Sequence, residues 1–182
     1  MLRVESAELP EVKILQWISR KDNRGEKLYT FSEREMEKAG IRFRSVEEAV
    51  YKIAKRNTLY GIHFQNHPKP QAKLVFCLKG RGNDFVVDLR KDSPSYKKWT
   101  LIPLDSLSGR QVLVPAGFGH AFLSGEDDTR LVFRIDEYFD VNLSRTVSYR
   151  DEDLNIRFNI RNPILSDYDR DAPFLKDSDC NL

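Results

Sequence analysis

At 182 residues the chain suits one domain, residues 1–182, with a sizeable core. Charge is nearly balanced, 30 Lys and Arg against 28 Asp and Glu, which leaves no electrostatic case for nucleic acid or an acidic membrane surface as partner. Cys77 and Cys180 lie far apart and form no CxxC pair or disulfide framework; with no signal-peptide run and no apolar stretch near the ~20 residues of a membrane span, a cytoplasmic protein is expected.

Residues 1–60 carry the less regular pattern. Ser32 and Glu35 have capping-box spacing and Gly40 supplies a stop, which predicts a short helix over 32–39. Ser45 and Glu48 offer a second capping box before EAVYKIAK, so local propensity alone writes helix there. From Leu59 the texture changes. KLVFCLKG, DFVVDLR, KKWTLIPL, RQVLVP, HAFLSG and TRLVFRIDEYF are short apolar runs, several of them separated by turns such as Gly80–Asn83, Lys91–Pro94 and Glu126–Asp128. Such runs predict an antiparallel all-β sandwich or barrel. DLNIRFNI, near the C-terminus, alternates apolar and polar as a half-buried strand would.

Two stretches carry the chemistry. Gly61-Ile62-His63-Phe64-Gln65-Asn66-His67 sets two of the three histidines four residues apart. Gly109-x5-Pro115-x-Gly117-x-x-His120 has a direct physical reading: Pro115 ends a strand, Gly117 permits a turn with positive φ, and His120 re-enters a barrel facing inward. This second stretch resembles the second motif of the cupin superfamily. GIHFQ at 61–65, Gln71-Ala72-Lys73-Leu74-Val75, Val87-Asp88-Leu89-Arg90 with Ser93-Pro94-Ser95-Tyr96 and Trp99, and Leu165-Ser166-Asp167-Tyr168-Asp169 narrow the resemblance. In collinear order over about residues 20–173, they are similar to the dTDP-4-dehydrorhamnose 3,5-epimerase family.

The resemblance implies a cupin double-stranded β-helix, an antiparallel jelly-roll barrel with short peripheral helices, which resets residues 46–53 from helix to strand. It implies a homodimer that uses no metal or other cofactor on a nucleotide-linked 4-keto-6-deoxyhexose. His63 becomes the general base, Asp169 its carboxylate partner and Lys73 the cation for the enolate oxygen. His120 lies by the sugar, Arg24 of an Arg-Gly pair reaches the nucleotide, and Tyr138 stacks on the base; Gln65, Tyr60 and Phe133 complete the expected substrate-binding set. The chemistry suits these groups: a C–H beside a ketone is lost readily only when the developing enolate meets a preorganised cation, and a neutral imidazole oriented by a carboxylate is a suitable base. Taken singly, His63 reads as a packed core histidine, Lys73 as an edge-strand lysine and Asp169 as a turn cap; their joint register favours catalysis. Asp88 and Arg90 read as structural.

A metal site is not expected. Metal-binding cupins carry H-x-H and then a glutamate in the first motif, whereas here His63-Phe64-Gln65 is followed by Lys69, and His67 reads as an exposed loop residue. That disfavours a metal-dependent cupin oxygenase. Four positions depart from the family pattern. The acid tyrosine falls at Phe133, an arginine at Tyr60, a Q-D-N segment at Glu48-Ala49-Val50, and the lysine of the L-S-x-K-D motif at Tyr168. The expectation is an epimerase inverting C3, with C5 as the second acidic centre, on a dTDP, CDP, UDP or GDP sugar, with dTDP disfavoured. A non-catalytic nucleotide-sugar binding cupin is the alternative, and retention of His63, Lys73 and Asp169 together argues against it.

Overall fold

The apolar runs become strands because each offers branched and aromatic side chains to neighbours on both faces. The computed structural model describes residues 1–182. The chain opens with the hairpin β1 (Leu2–Ser6) and β2 (Lys13–Trp17), a small hairpin β3 (Arg20–Asp22) and β4 (Gly25–Lys27), and helix α1 (Glu33–Lys38). Then come β5 (Glu47–Ile53), β6 (Leu59–Gln65), β7 (Lys73–Lys79), β8 (Arg81–Asp88), β9 (Trp99–Asp105), β10 (Arg110–Val114), β11 (Phe118–Ser124), β12 (Thr129–Ile135) and β13 (Ser144–Thr146). Helix α2 (Asp167–Arg170) and a 3-10 turn at Leu175–Asp177 follow. No helix is long and apolar enough to cross a membrane.

Two antiparallel sheets make the barrel. One has the order β1-β2-β10-β7-β12-β5, the other β13-β6-β11-β8-β9. Val75, Val112, Val114 and Leu131 of the first pack against Val86, Ile102, Phe118 and Phe122 of the second. Both outer faces are covered too. Met36, Ile41 and Phe43, from and just after α1, seal Leu15, Leu74 and Leu113, and the C-terminal segment lays Val147, Leu154, Phe158 and Leu175 over Ile62, Phe85 and Val87. Double coverage explains why β7 reads as the unbroken run LVFC rather than an alternation.

Helix α1 lies within the span its cap predicts: the Ser32 hydroxyl accepts from the Glu35 amide at 3.4 Å, and Gly40 follows at φ 77°. Residues 47–53 are strand, paired along their length with β12, so long-range pairing overrides the local helical signal. Two readings need correction. The first 60 residues are more regular than their pattern suggests, since β1 and β2 extend the larger sheet through β10. DLNIRFNI is not a strand. Asn155 and Asn159 adopt positive φ, 45° and 53°, and break the extended path. Leu154 and Phe158 still turn inward, so the apolar positions are buried without a ladder.

Asp88 and Arg90 are structural, as read. The fully buried Asp88 carboxylate accepts from the Arg90 side chain and from the Ser93 and Ser95 hydroxyls, and Arg90 also grips Glu11. Gly117 has φ 88°, and a Cβ there would meet Arg90 Cγ at 2.6 Å. His67 is exposed in the loop after β6.

Candidate active site

The two-residue period of a strand decides which side chains meet between the sheets. On the larger sheet it aims Ala49 and Tyr51 of β5, Leu131, Phe133 and Ile135 of β12, and Lys73 of β7 at one cavity of about 440 Å³. The smaller sheet supplies Tyr60, His63 and Phe64 of β6 and His120 and Phe122 of β11. Glu47, Gln71, Phe139, Ser144 and Tyr168 complete the lining. The register of β6 against β11 slips between His120 and Phe122. Gly61 sits in this bulge at φ 101°, where a Cβ would lie 2.4 Å from the His120 carbonyl oxygen. Bulges re-aim side chains beside sites, and this one lets Tyr60 and His63, three residues apart, both face the cavity.

His63 Nε2 lies 2.6 Å from Asp169 Oδ1. Asp169 is 3% exposed. The Thr146 hydroxyl donates to its Oδ1 at 3.2 Å, the Ser166 hydroxyl donates to Oδ2 at 3.1 Å, and Ser166 also caps α2 by accepting from the Asp169 amide. Burial pushes the Asp169 carboxyl up, but the His63 and Ser166 hydrogen bonds and the Gly61 amide outweigh it and hold the group below the usual carboxylate range. An ionised Asp169 accepts a hydrogen bond from the Nε2–H of His63. Nδ1 then keeps its lone pair and is the basic nitrogen.

Lys73 donates to Gln71 Oε1 at 2.8 Å. Burial lowers its ammonium to about 8, a shift that the Asp136 carboxylate partly opposes. His120 Nε2 lies 2.7 Å from Asp84 Oδ2, so a second His–Asp pair stands beside the first, and His120 and His63 are cross-strand partners. Burial raises the Asp84 carboxyl against the pull of His120. Tyr51 stacks on Tyr60 with centroids 4.5 Å apart and lies 4.7 Å from the Phe133 ring.

Of the expected residues, His63, Asp169, Lys73, His120, Tyr60 and Phe133 thus come together. Three do not. Arg24 stands at the tip of the β3–β4 hairpin, its side chain 85% exposed and paired with Asp22 at 2.7 Å. Tyr138 does not line the cavity; its neighbour Phe139, equally exposed, borders it instead. Gln65 faces away from the cavity and braces the loop after β12: its amide nitrogen donates to the Lys69 and Tyr138 carbonyls, and its oxygen accepts from the Asp140 amide. Sequence reasoning missed Tyr51, Phe139, Asp84 and Glu47. The parity of β5, once read as strand, would have put Tyr51 on one face with Ala49 and Glu47; nothing in the loop marks Phe139 over Tyr138. No three His, Cys, Asp or Glu side chains converge anywhere in the chain to offer a metal a ligand set.

A base held by a buried carboxylate and a desolvated cation on the facing sheet share one cavity, which suits removal of a proton next to a carbonyl. Barrel and site together define a cupin-fold isomerase of the carbohydrate epimerase kind. The chain belongs to the dTDP-4-dehydrorhamnose 3,5-epimerase family, whose sequence model matches residues 6–177. It is 32% identical over 179 residues to the dTDP-4-dehydrorhamnose 3,5-epimerase of Shigella flexneri, covering 98% of each chain. The crystal structure of the Bacillus anthracis dTDP-4-dehydrorhamnose 3,5-epimerase with TDP and PPi bound superposes with a TM-score of 0.92 at 34% identity, over 96% of this chain and 99% of that one. A 3'-monoepimerase from Streptomyces bikiniensis in complex with dTDP-quinovose gives 0.87 at 32% identity, over 94% and 87%.

Proposed function

We propose that the protein epimerises a nucleotide-linked 4-keto-6-deoxyhexose in deoxysugar biosynthesis, inverting C3. The observation that carries this is His63 on one sheet, held by Asp169 of α2, sharing a cavity with Lys73 on the other sheet. His63 Nδ1 takes the proton from the carbon beside the ketone. Its electron pair moves into a C=C bond, and the charge that collects on the C4 oxygen is balanced by Lys73. Asp169 stabilises the imidazolium and keeps its ring oriented. His120, fixed by Asp84, offers a second polar group to the sugar.

Inversion at C3 alone is the reading for two reasons. Both C3 and C5 flank the ketone, so a full set of donors would serve both, but Phe133 makes part of the wall apolar and has no proton to give. The Streptomyces bikiniensis relative, of similar fold, is itself a 3'-monoepimerase. The nucleotide is proposed to be other than dTDP. Tyr60 stands where the resemblance expects a phosphate-binding arginine, and a charge-assisted hydrogen bond to phosphate is worth roughly 1.5–3 kcal/mol.

The test is solvent exchange. Sugars carried on dTDP, CDP, UDP and GDP are incubated in D₂O with the enzyme, and NMR follows both deuterium wash-in and product coupling constants. Wild type is expected to wash deuterium into C3 and invert it. His63→Asn is expected to lose ~10²–10⁴-fold in both. Binding without exchange on every sugar would return the chain to a binding cupin. Equal inversion at C5, or fastest turnover on dTDP, would remove the corresponding part of the proposal.

A further inference from the structure

Epimerisation has a second half that His63 cannot perform. A base that returns its own proton restores the starting configuration, so inversion requires a donor on the other face of the enolate. His63 rises from the smaller sheet. The donor must therefore come from the larger one, and Phe133 on that sheet has nothing to give.

We infer that Tyr51 is the catalytic acid: its phenol, on the sheet facing His63 and packed against Phe133, delivers the proton that inverts the carbon. This rests on the epimerase reading above.

Tyr51 lies on β5, which pairs with β12 through Leu131↔Tyr51 and Phe133↔Ala49. Its ring centroid is 4.7 Å from that of Phe133, so its hydroxyl belongs to the wall that Phe133 leaves without one. No hydrogen bond to another protein group occupies that hydroxyl, in contrast to Tyr168, whose hydroxyl donates to the Ser144 carbonyl at 3.4 Å. Burial, together with the neighbouring Tyr60 and the Asp169 carboxylate, holds the Tyr51 phenol above its usual value, so it keeps its proton until a stronger base, the enolate carbon, is presented.

The other candidates stand on the wrong side or have another task. Tyr60 is on β6, the strand of His63 itself, and His120 is on β11 of the same sheet. Tyr168 adjoins Asp169 on α2, on the side of the base, and its hydroxyl is engaged by the Ser144 carbonyl. Lys73 shares the wall with Tyr51 but serves as the cation for the C4 oxygen. Glu47 is exposed and accepts from the Phe139 amide.

The step balances. After His63 Nδ1 has taken the C–H proton, the Tyr51 O–H bond breaks and its proton joins the same carbon from the opposite face. The enolate electron pair forms the new C–H bond, C4=O re-forms, and a tyrosinate remains. The proton on His63 passes to solvent and one from solvent returns to Tyr51, closing the cycle with no other reactant.

Tyr51→Phe removes one oxygen atom and keeps the ring stack, so thermal unfolding and KM are expected to stay near wild type. In D₂O the variant is expected to wash deuterium into the substrate with the original configuration, within a few-fold of the wild-type rate, while inversion falls ~10²-fold or more. Inversion at the wild-type rate would overturn the assignment. So would parallel loss of exchange and inversion, which would make Tyr51 a binding or packing residue. Absence of wash-in by the wild-type enzyme on every sugar would defeat the epimerase reading, and the donor role with it.

Discussion

Lys73 serves the reaction only while it is charged, and its surroundings set the pH at which it stops being so. Burial lowers it to about 8, against ~10.4 for an ordinary lysine. kcat/KM, which reports the free enzyme, is therefore expected to fall as pH rises through about 8. Stability runs the other way. Between about 8 and ~10.4 the unfolded chain binds more protons at this residue than the folded one, so its contribution to stability rises with pH across that window. A pH profile of kcat/KM measured beside urea unfolding at the same pH values checks both signs. Activity flat to about pH 10 would mean that Lys73 keeps an ordinary ammonium.

β6 is the element on which the site depends, and Gly61 is its weak point. The bulge needs φ 101° at a position where a Cβ would meet the backbone oxygen of His120 at 2.4 Å and the Ala121 Cα at 3.0 Å. Backbone atoms on paired strands cannot swing aside as a side chain can. Gly61→Ala is therefore expected to cost about 1–3 kcal/mol and to disturb the neighbouring His63, lowering kcat more than the stability loss explains. Urea unfolding and single-turnover kinetics measure the two parts. An unchanged midpoint would show that the bulge relaxes freely. β5 carries the complementary lesson: its capping-box spacing and EAVYKIAK run favour helix locally, yet seven residues of ladder with β12 make it strand. Tyr51 enters the cavity only because of that choice.

At the scale of the molecule, the β3–β4 hairpin is what a single chain leaves unexplained. Arg24 at its tip is exposed, stands apart from the cavity that holds His63 and pairs with Asp22. The proposal that the protein is a homodimer gives it a task, reaching the nucleotide held by the partner copy. Light scattering at micromolar concentration is expected to find a dimer, and Arg24→Ala is expected to weaken nucleotide binding by roughly 1.5–3 kcal/mol while leaving the dimer intact. A stable monomer, or an Arg24→Ala variant that binds as wild type does, would remove Arg24 from the site.

Much of the site was legible through short motifs that resemble those of the family. His63, Lys73, His120 and Asp169 lie in short motifs whose turns are written in adjacent residues, Pro115 and Gly117 before His120 and Ser166 before Asp169. The barrel was legible for a like reason, since runs buried on both faces must be apolar throughout. What only the tertiary structure decided has one physical cause. In extended chain, neighbouring side chains point to opposite sides, so a single-residue shift exchanges inside for outside. The loop after β12 set Phe139 rather than Tyr138 at the rim of the cavity. The end of β6 turned Gln65 away from the cavity, and the pairing of β5 with β12 turned Tyr51 in. Two asparagines with positive φ took DLNIRFNI out of the sheet while leaving its apolar residues buried. Each of these choices was made by partners distant in sequence: the motifs in the sequence, through their resemblance to the family, marked residues able to do the chemistry, and long-range pairing determined which of them face it.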